Sequence, residues 1–403
     1  MADIYPTRIR ALKLSQFRNY TALSLDIEPR SAVLVGANGA GKTNLLEALS
    51  FLSPGRGLRR AVYSDVALSP EKDGTGDWAV STRIDTAFGM TDIGTGYTGG
   101  STSAPSAFTG LAPRSENDAE RESEIGRRIR IDRANVKSAE SLTEYLRVLW
   151  LTPAMDGLFT GPAGERRRFL DRLVLAHDPA HGRRVNAFDL AVRNRNRVLE
   201  QSFSNTSWLD AIETQVAELG VAISAARHET VSLLIAEIDQ SHEAARHFPQ
   251  AALAHEGLVD TLLSSGSATD TEDRYRVLLA QARRRDRAAG RTIDGPHRAD
   301  FLVRHREKNM PARLCSTGEQ KALLIGLILA HARLVAKIAG MTPIVLLDEV
   351  AAHLDATRRA ALFDVLDSLG CQAFMTGTDA GLFEALSGRA QVFRVDHGKV
   401  DAQ

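Results

Sequence analysis

The chain has 403 residues, of which 43% are hydrophobic and 25% charged, and its 50 Lys and Arg residues balance 50 Asp and Glu residues. This composition is typical of a globular protein with two or three domains, and we find no uninterrupted run of about 18 apolar residues that could cross a bilayer. Because the charges balance, any surface that binds nucleic acid must be local.

The N-terminus and the cysteines indicate where the protein resides. "MADIYPTRIRALKL" lacks the apolar core of a secretory signal and has no lipidation pattern, so we expect a cytoplasmic protein without membrane attachment. Cys315 and Cys371 are far apart and lack metal-ligand spacing, which favours two small buried residues over a disulfide or a zinc site.

The first fifty residues predict strands followed by a phosphate-binding loop. "RIRALKLSQF" and "ALSLDIEP" alternate like half-buried strands, and "SAVLVG" is typical of a buried strand. The next stretch, "GANGAGKTNLLEAL" at 36–49, contains G-x-x-x-x-G-K-[ST] and continues with helical periodicity. Glycines in such a loop let backbone N–H groups face phosphate at a helix N-terminus. The predicted phosphate-binding residues are Gly36, Ala37, Asn38, Gly39, Ala40, Gly41, Lys42 and Thr43.

The middle of the chain predicts two more strand regions and then helices. Residues 78–96 and 125–131 have strand patterns, and the segment at about 97–122 is rich in Gly, Ser, Thr and Pro, which predicts a flexible insertion. From about 140 to 290 the chain is predicted to be helical. One helix face is formed by Leu209, Ile212, Val216, Leu219 and Ile223. This spacing lasts only about two heptads, too short for a long coiled coil.

A second half of the phosphate site is predicted near the C-terminus. In "PIVLLDE" a buried strand ends in Asp348 and Glu349. Lys42 would reach the β- and γ-phosphates of ATP, while Thr43 and Asp348 are candidate Mg²⁺ ligands. Glu349 lies where a carboxylate could orient or deprotonate the attacking water. Lys42, Asp348 and Glu349 are therefore the predicted catalytic residues, with ATP and Mg²⁺ as cofactors.

The remaining elements complete the predicted fold. "DATRRAALFDVLDSL" predicts a helix, "CQAFMTGT" a strand, and "QVFRVDHGKV" a final strand and turn. We therefore predict an α/β fold in which one P-loop ATPase domain is assembled from both chain ends around an inserted, mainly helical lobe. The predicted parts are 1–139, 140–292 for the lobe, and 293–403.

Two motifs resemble those of ABC-type ATPases. Ser316, Gly318 and Glu319 in "STGE" resemble the signature S-x-G-[EQ], and "VAAHLD" resembles the D-loop, ending in Asp355. In that family, the signature of one subunit closes over the ATP bound by the other, so the resemblance adds Ser316, Gly318, Glu319 and Asp355 to the nucleotide site. "STGE" is also an ordinary helix capping box, and the two roles are compatible.

Four further motifs resemble the RecF family, a branch of the ABC and SMC-like ATPases. They are "FRNY" (17–20), "GRGLRRA" (55–61), "WLTPAMDGLFTGPAGERRRFLD" (150–171) and "DGPHRADF" (294–301). The resemblance implies an ABC-type head without a long coiled coil, which dimerises with ATP on duplex DNA and at gapped or single-stranded junctions. It also implies recombinational repair with RecO and RecR, which load RecA, and slow ATP hydrolysis that releases the clamp.

Two other ABC-type functions remain as alternatives. A transporter ATPase subunit would carry a switch histidine, where this chain has Thr376 and Thr378, and a Q-loop glutamine, which is missing from "WLTPAMD". A structural tether of the SMC type would carry a much longer arm.

Arginine clusters are the candidate DNA contacts. Arg56, Arg59 and Arg60 follow the P-loop helix and are the predicted DNA-binding residues. Other clusters occur at 127–133, 166–168 and 283–287, and for all of them solvated helix faces or internal ion pairs are the alternative. His297 and Arg298 could be catalytic in a hydrolase, but no nucleophile or metal constellation accompanies them, which favours a structural turn or an inter-lobe role.

Overall fold

The computed structural model describes residues 4–68, 76–98, 126–201, 206–240 and 247–403. It divides into two compact units, Met1–Pro153 with Val335–Gln403, and Ala154–Leu334. Of the predicted insertion at 97–122, only residues 97 and 98 are among the described residues.

The elements follow in chain order. The strands are β1 (Arg8–Phe17), β2 (Tyr20–Asp26), β3 (Ser31–Val35), β4 (Trp78–Thr86), β5 (Gly89–Tyr97), β6 (Arg127–Ile131), β7 (Ala134–Val136), β8 (Val148–Leu151), β9 (Ala251–Glu256), β10 (Asp300–His305), β11 (Met310–Pro311), β12 (Ile344–Leu347), β13 (Gln372–Gly377), β14 (Ala390–Asp396) and β15 (Lys399–Ala402). The α-helices are α1 (Lys42–Ser50), α2 (Ala163–Leu175), α3 (His181–Glu200), α4 (Thr206–Gln240), α5 (Leu258–Leu263), α6 (Ala268–Ala289), α7 (Thr317–Ala339) and α8 (Ala356–Ser368).

The described residues of the first unit form two six-stranded sheets. One is antiparallel, in the order β2-β1-β4-β5-β6-β7. The other has the order β15-β14-β3-β13-β12-β8, and its strands are parallel except for the β14–β15 pair. Every residue of β8, β12 and β13 is buried, as expected for strands covered on both faces. The predicted α/β head assembled from both chain ends is confirmed.

This parallel sheet positions the candidate site. Strand β3 leads into the P-loop, and β12 ends just before Asp348, with β13 between them in the sheet. The carboxyl ends of parallel strands lie along one edge, where ligands of open α/β sheets bind. The fold therefore brings together two motifs that are 300 residues apart in the sequence.

The second unit is mainly helical, with one small sheet in the order β11-β10-β9. Its core packs α3, α4 and α6 around Phe188, Val216 and Tyr275. On the predicted face of α4, Leu209, Ile212, Val216 and Ile223 are buried and Leu219 is partly buried, so this amphipathic helix is confirmed.

The predicted lobe is mainly helical, as expected, but two short segments within residues 140–290 are strands. Val148–Leu151 forms β8, parallel to β12, and Ala251–Glu256 forms β9, antiparallel to β10. A short apolar run does not distinguish a buried strand from a buried helix, and only the partner strands decide. The predicted boundaries of the lobe at 140–292 stay a prediction. In the structure β8 pairs with a strand of the first compact unit, and β10 pairs with strands of the second.

Within the described residues, two helices, α4 and α7, are long and apolar enough to cross a membrane by length and composition. The most apolar 18-residue window is 50% buried in α4 and 72% buried in α7. Buried core helices pass the same test, so this is weak evidence for a membrane segment. Both cysteines are buried, and neither forms a disulfide.

Candidate nucleotide-binding and hydrolysis site

The P-loop requires glycine at two positions. Gly41, just before α1, has φ 115°, and a Cβ there would lie 2.5 Å from Nδ2 of Asn19 and 2.7 Å from the hydroxyl of Tyr20. A Cβ on Gly36 would lie 2.2 Å from the carbonyl oxygen of Val395. At Gly36 the clash is with backbone, and at Gly41 the positive φ strains any residue with a Cβ, so the glycines allow this tight turn to pack against its neighbours.

The hairpin that carries "FRNY" supports the P-loop from one side. Tyr20 donates its hydroxyl hydrogen to the carbonyl of Gly41 at 3.1 Å, and Asn19 Nδ2 donates to the carbonyl of Ala40 at 3.2 Å. Asn44 in α1 donates to Oδ1 of Asn19 at 2.7 Å. The carbonyl of Gly41 also accepts the N–H groups of Asn44 and Leu45 at the start of α1, so the hairpin side chains add to the hydrogen bonds that hold the loop conformation. The sequence singled out this motif without indicating this function.

A buried carboxylate links the same hairpin to α1. Glu47, whose side chain is fully buried, accepts two hydrogen bonds from Arg18 at 2.8 and 2.7 Å. Arg59 donates to the same carboxylate at 3.0 Å and to Oδ1 of Asn44 at 2.7 Å. Two guanidinium groups therefore neutralise one buried charge beside the P-loop helix.

Lys42 lies at the centre of the loop with only 4% of its surface exposed. Its ammonium donates to the carbonyls of Gly36 at 2.7 Å and Ala37 at 2.8 Å. Burial lowers the pKa of Lys42, and the nearby carboxylates of Glu349 and Asp348 act in the opposite direction. Ala37, Asn38 and Gly39 are exposed at the top of the loop, whereas Ala40 is buried.

The loop and the acidic strand meet at Asp348. Thr43 donates its hydroxyl hydrogen to Oδ1 of Asp348 at 3.0 Å, and Thr376 in β13 donates to the same oxygen at 2.8 Å. Hydroxyl and carboxylate oxygens are the hard ligands that Mg²⁺ prefers, and those of Thr43 and Asp348 are close enough to serve one ion. The residues therefore fit the predicted metal.

Glu349 adopts an unusual backbone conformation for a residue with a side chain. Its φ is 54°, in the left-handed region, and its N–H donates to Oγ1 of Thr376 at 2.8 Å. Non-glycine residues in this region are strained and are frequent at functional sites. Lys42, Thr43, Asp348 and Glu349 thus lie together in one unit, as the sequence predicts.

The signature residues belong to the second unit and form the predicted capping box. Both the N–H and the hydroxyl of Ser316 donate to Oε2 of Glu319 at 3.0 Å, just at the start of α7. A hydrogen bond from Lys308 and those from Ser316 lower the pKa of Glu319 to about 2. Ser316 and Gly318 are exposed. Their role in binding ATP remains a prediction.

Asp355, the D-loop residue, caps α8 in the first unit. Its side chain accepts the N–H of Arg358 at 2.8 Å. Capping alone accounts for an aspartate at this position. Its predicted part in the nucleotide site also remains a prediction.

Several arginine clusters are used for internal contacts. Arg166 makes two hydrogen bonds of 2.8 Å to Asp300, Arg283 pairs with Asp210 and Glu213, and Arg285 pairs with Asp294. Arg127 donates to the carbonyls of Ser53 and Gly55 after α1. The alternative of internal ion pairing is therefore realised at Arg166, Arg283 and Arg285, whereas Arg127 has hydrogen bonds to carbonyls.

The predicted DNA-binding arginines lie after α1. Arg59 and Arg60 are exposed, and Arg56 is half-buried. Arg59 keeps 41% of its side chain exposed while it contacts Glu47. DNA binding by these three residues remains a prediction.

His297 has the contacts of a structural residue. Its ring lies 5.7 Å from that of Phe188, its Nε2 is 3.0 Å from the carbonyl oxygen of Thr292, and burial lowers its pKa.

Known proteins resemble the chain over nearly its whole length. Residues 8–401 match the family described as the RecF/RecN/SMC N terminal domain. The DNA replication and repair protein RecF of Mesorhizobium japonicum is 56% identical, with 98% of this chain and 97% of that protein covered. The protein of the same name from Brucella abortus is 53% identical, with 97% and 95% covered.

Solved structures share the fold. The recombination mediator protein RecF-ATPrS of the RecFOR pathway has a TM-score of 0.83 at 20% identity, with all of both chains covered. An SMC head bound to the C-winged helix domain of ScpA has a TM-score of 0.52 at 14% identity, with 98% of this chain and 97% of that chain covered. The full-length family match and the curated relatives agree: the chain belongs to the RecF family of DNA replication and repair proteins.

Proposed function

We propose that the chain is an ATP-driven DNA-binding switch of recombinational repair. Membership of the RecF family and the names of its relatives support a role in DNA replication and repair. Two solved RecF structures of similar fold are described with ATP or ATPrS and as part of the RecFOR pathway, which supports ATP as the nucleotide.

The observation that carries the proposal is the contact between Thr43 and Asp348, which are 305 positions apart and 3.0 Å from each other. It joins the phosphate loop to the acidic strand beside Lys42. On nucleotide binding, the Lys42 ammonium exchanges its two loop carbonyls for the β- and γ-phosphates. Mg²⁺, held by Thr43 and Asp348, would neutralise developing phosphate charge, and Glu349 would orient the attacking water.

Gly318 supports a site completed by a second copy. A Cβ at this position would meet no described atom within 4 Å, and its φ is not in the left-handed range. The packing of one described chain therefore does not require glycine there. A glycine at the exposed N-terminus of α7 suits close approach of a phosphate, since the helix dipole favours negative charge. We infer that the signature of one copy covers the ATP of its partner.

DNA binding and partners complete the proposal. The joined heads would hold duplex DNA near single-strand gaps through phosphate contacts, with Arg56, Arg59 and Arg60 as the candidate residues. RecO and RecR would act with the chain to load RecA. Slow hydrolysis then separates the heads and releases the DNA.

The test removes the Lys42 charge. Lys42→Met is expected to abolish ATP-dependent binding of a labelled duplex in fluorescence anisotropy, whereas Lys13→Met, at an exposed position of β1, should bind as the wild type does. Duplex binding by Lys42→Met that equals the wild type in ATP would contradict the proposal.

A second variant tests the composite site. Ser316→Arg is expected to bind nucleotide normally and to stop ATP-driven dimerisation, because it fills the exposed start of α7. Normal dimers in light scattering would contradict this part of the proposal.

A further inference from the structure

We propose that Thr376 is a positioning residue for ATP hydrolysis, in that its one hydroxyl group orients both acidic residues at the end of β12. The inference rests on the proposed function, since it concerns the same site. It gives a specific role to a residue that stands on the strand where transporters carry a switch histidine.

The geometry places this hydroxyl between the two acids. Thr376 is 1% exposed, donates to Oδ1 of Asp348 at 2.8 Å and accepts the N–H of Glu349 at 2.8 Å. A hydroxyl group has one hydrogen to donate and two lone pairs, so both bonds form at once. One side chain thus fixes the carboxylate of Asp348 and the backbone of Glu349.

Each bond has a separate effect. Oδ1 of Asp348 also accepts from Thr43, so the Thr376 bond helps keep that carboxylate turned towards the candidate Mg²⁺ ligand on α1. At Glu349, the bond holds a residue whose φ of 54° is unfavourable for a side chain with a Cβ. Loss of the hydroxyl therefore frees both acids from the positions that the site needs.

The position of β13 explains why the residue lies there. This strand is parallel to β12 on one side and to β3 on the other. One residue after Thr376, the carbonyl of Gly377 accepts the N–H of Gly36, the first residue of the P-loop, at 3.3 Å. Strand β13 therefore contacts both halves of the site, and Thr376 connects it to the acidic half.

The two hydrogen bonds also explain why residue 376 is a threonine and not an apolar residue. All six residues of β13 are buried, and valine would fill the same volume without a polar group to satisfy. A buried hydroxyl destabilises a fold unless it is hydrogen-bonded. Both hydrogen bonds of Thr376 go to the two residues predicted to bind Mg²⁺ and to activate water.

Three variants test the inference in the full-length chain. Thr376→Val keeps the shape and removes the hydroxyl, Thr376→Ser keeps the hydroxyl and removes the methyl group, and Thr342→Val is the control. Thr342 is 3% exposed, and its hydroxyl has no hydrogen-bond partner among the described residues. The control therefore removes a buried hydroxyl of the same type near the start of β12, away from the acids.

Two measurements apply to each variant. The first is binding of a fluorescent, non-hydrolysable ATP analogue as Mg²⁺ is titrated, and the second is kcat and KM for ATP. For Thr376→Val we expect the Mg²⁺ concentration at half-maximal binding to rise and kcat to fall, each by about 10- to 100-fold. Binding of the analogue in excess EDTA stays unchanged. Thr376→Ser and Thr342→Val are expected to remain within about threefold of the wild type.

The outcomes separate this inference from the proposed function. A Thr376→Val variant with wild-type Mg²⁺ dependence and kcat overturns the role of Thr376. A Thr376→Ser variant that is impaired as much as Thr376→Val also overturns it, because the hydroxyl is still present. If Thr376→Val fails to fold in a thermal melt, Thr376→Ala carries the same expectation. A wild-type chain that neither binds nor hydrolyses ATP contradicts the proposed function, and the positioning role falls with it.

Discussion

Replacing Arg18 with methionine tests how the buried carboxylate beside the P-loop is stabilised. The side chain of Arg18 is 21% exposed, and its guanidinium forms two hydrogen bonds with Glu47, whose side chain is 0% exposed. A third hydrogen bond joins it to the carbonyl of Asp65 at 2.7 Å. Methionine keeps much of the side-chain volume and removes all three bonds together with the charge.

The expected cost follows from the burial of Glu47. Removing one partner of a buried ion pair costs about 3–5 kcal/mol, because the remaining charge stays desolvated. Arg59 still contacts the carboxylate at 3.0 Å, so we expect the lower end, about 3 kcal/mol. For a unit of about 200 residues, this corresponds to a decrease in Tm of roughly 6–12 °C.

The assay is thermal and urea unfolding, with Arg83→Met as a matched control. Arg83 also makes two hydrogen bonds to one carboxylate, that of Asp92, but the two side chains are 57% and 45% exposed. Exposed pairs contribute little to stability, so the control should unfold close to the wild type. Equal losses in the two variants would refute the claim that burial of Glu47 makes the Arg18 pair important.

Two further predictions concern the backbone conformation of Gly41 and the protonation of His331. Gly41→Ala should lose ATP binding at least tenfold by fluorescence titration, because φ is 115° and a Cβ would lie 2.5 Å from Asn19; wild-type affinity would show that the loop tolerates a side chain. Burial lowers the pKa of His331 from 6.5 to about 3, so the folded state takes up its proton later than the unfolded state as the pH falls. The contribution of neutral His331 to the free energy of unfolding is complete above pH 6.5 and decreases below that pH, by about 2 kcal/mol at pH 5. His331→Gln keeps a donor for the carbonyl of Leu173 and should flatten urea stability between pH 7 and 5; an unchanged pH dependence would contradict this reasoning.

Local patterns in the sequence were sufficient for the parts of the site that lie on continuous segments. The P-loop depends on glycine spacing between a strand and a helix, and Asp348 and Glu349 follow an apolar strand, so both could be predicted without the structure. The helix that carries Leu209 and Val216 shows a clear 3,4 spacing for the same reason.

Contacts between distant segments could not be predicted in this way. Periodicity does not indicate that Thr376 forms a hydrogen bond with Asp348, 28 residues earlier. It also does not indicate that Arg59, a candidate DNA contact, forms a salt bridge with Glu47 of the same chain. Strand β8 was missed because a four-residue apolar run becomes a strand only beside β12. A polar residue within a buried apolar strand, as at Thr376, is the one sequence signal that would have suggested a partner.

The central claim is that ATP acts as the switch which joins two copies on DNA. The most direct measurement is the mass of the complex on a gapped duplex, by light scattering, with Mg²⁺ and either ATP or ADP. The account predicts two protein copies per duplex with ATP, dissociating as salt is raised, and no stable complex with ADP. Equal complexes with the two nucleotides, or a single copy bound with ATP, would contradict it.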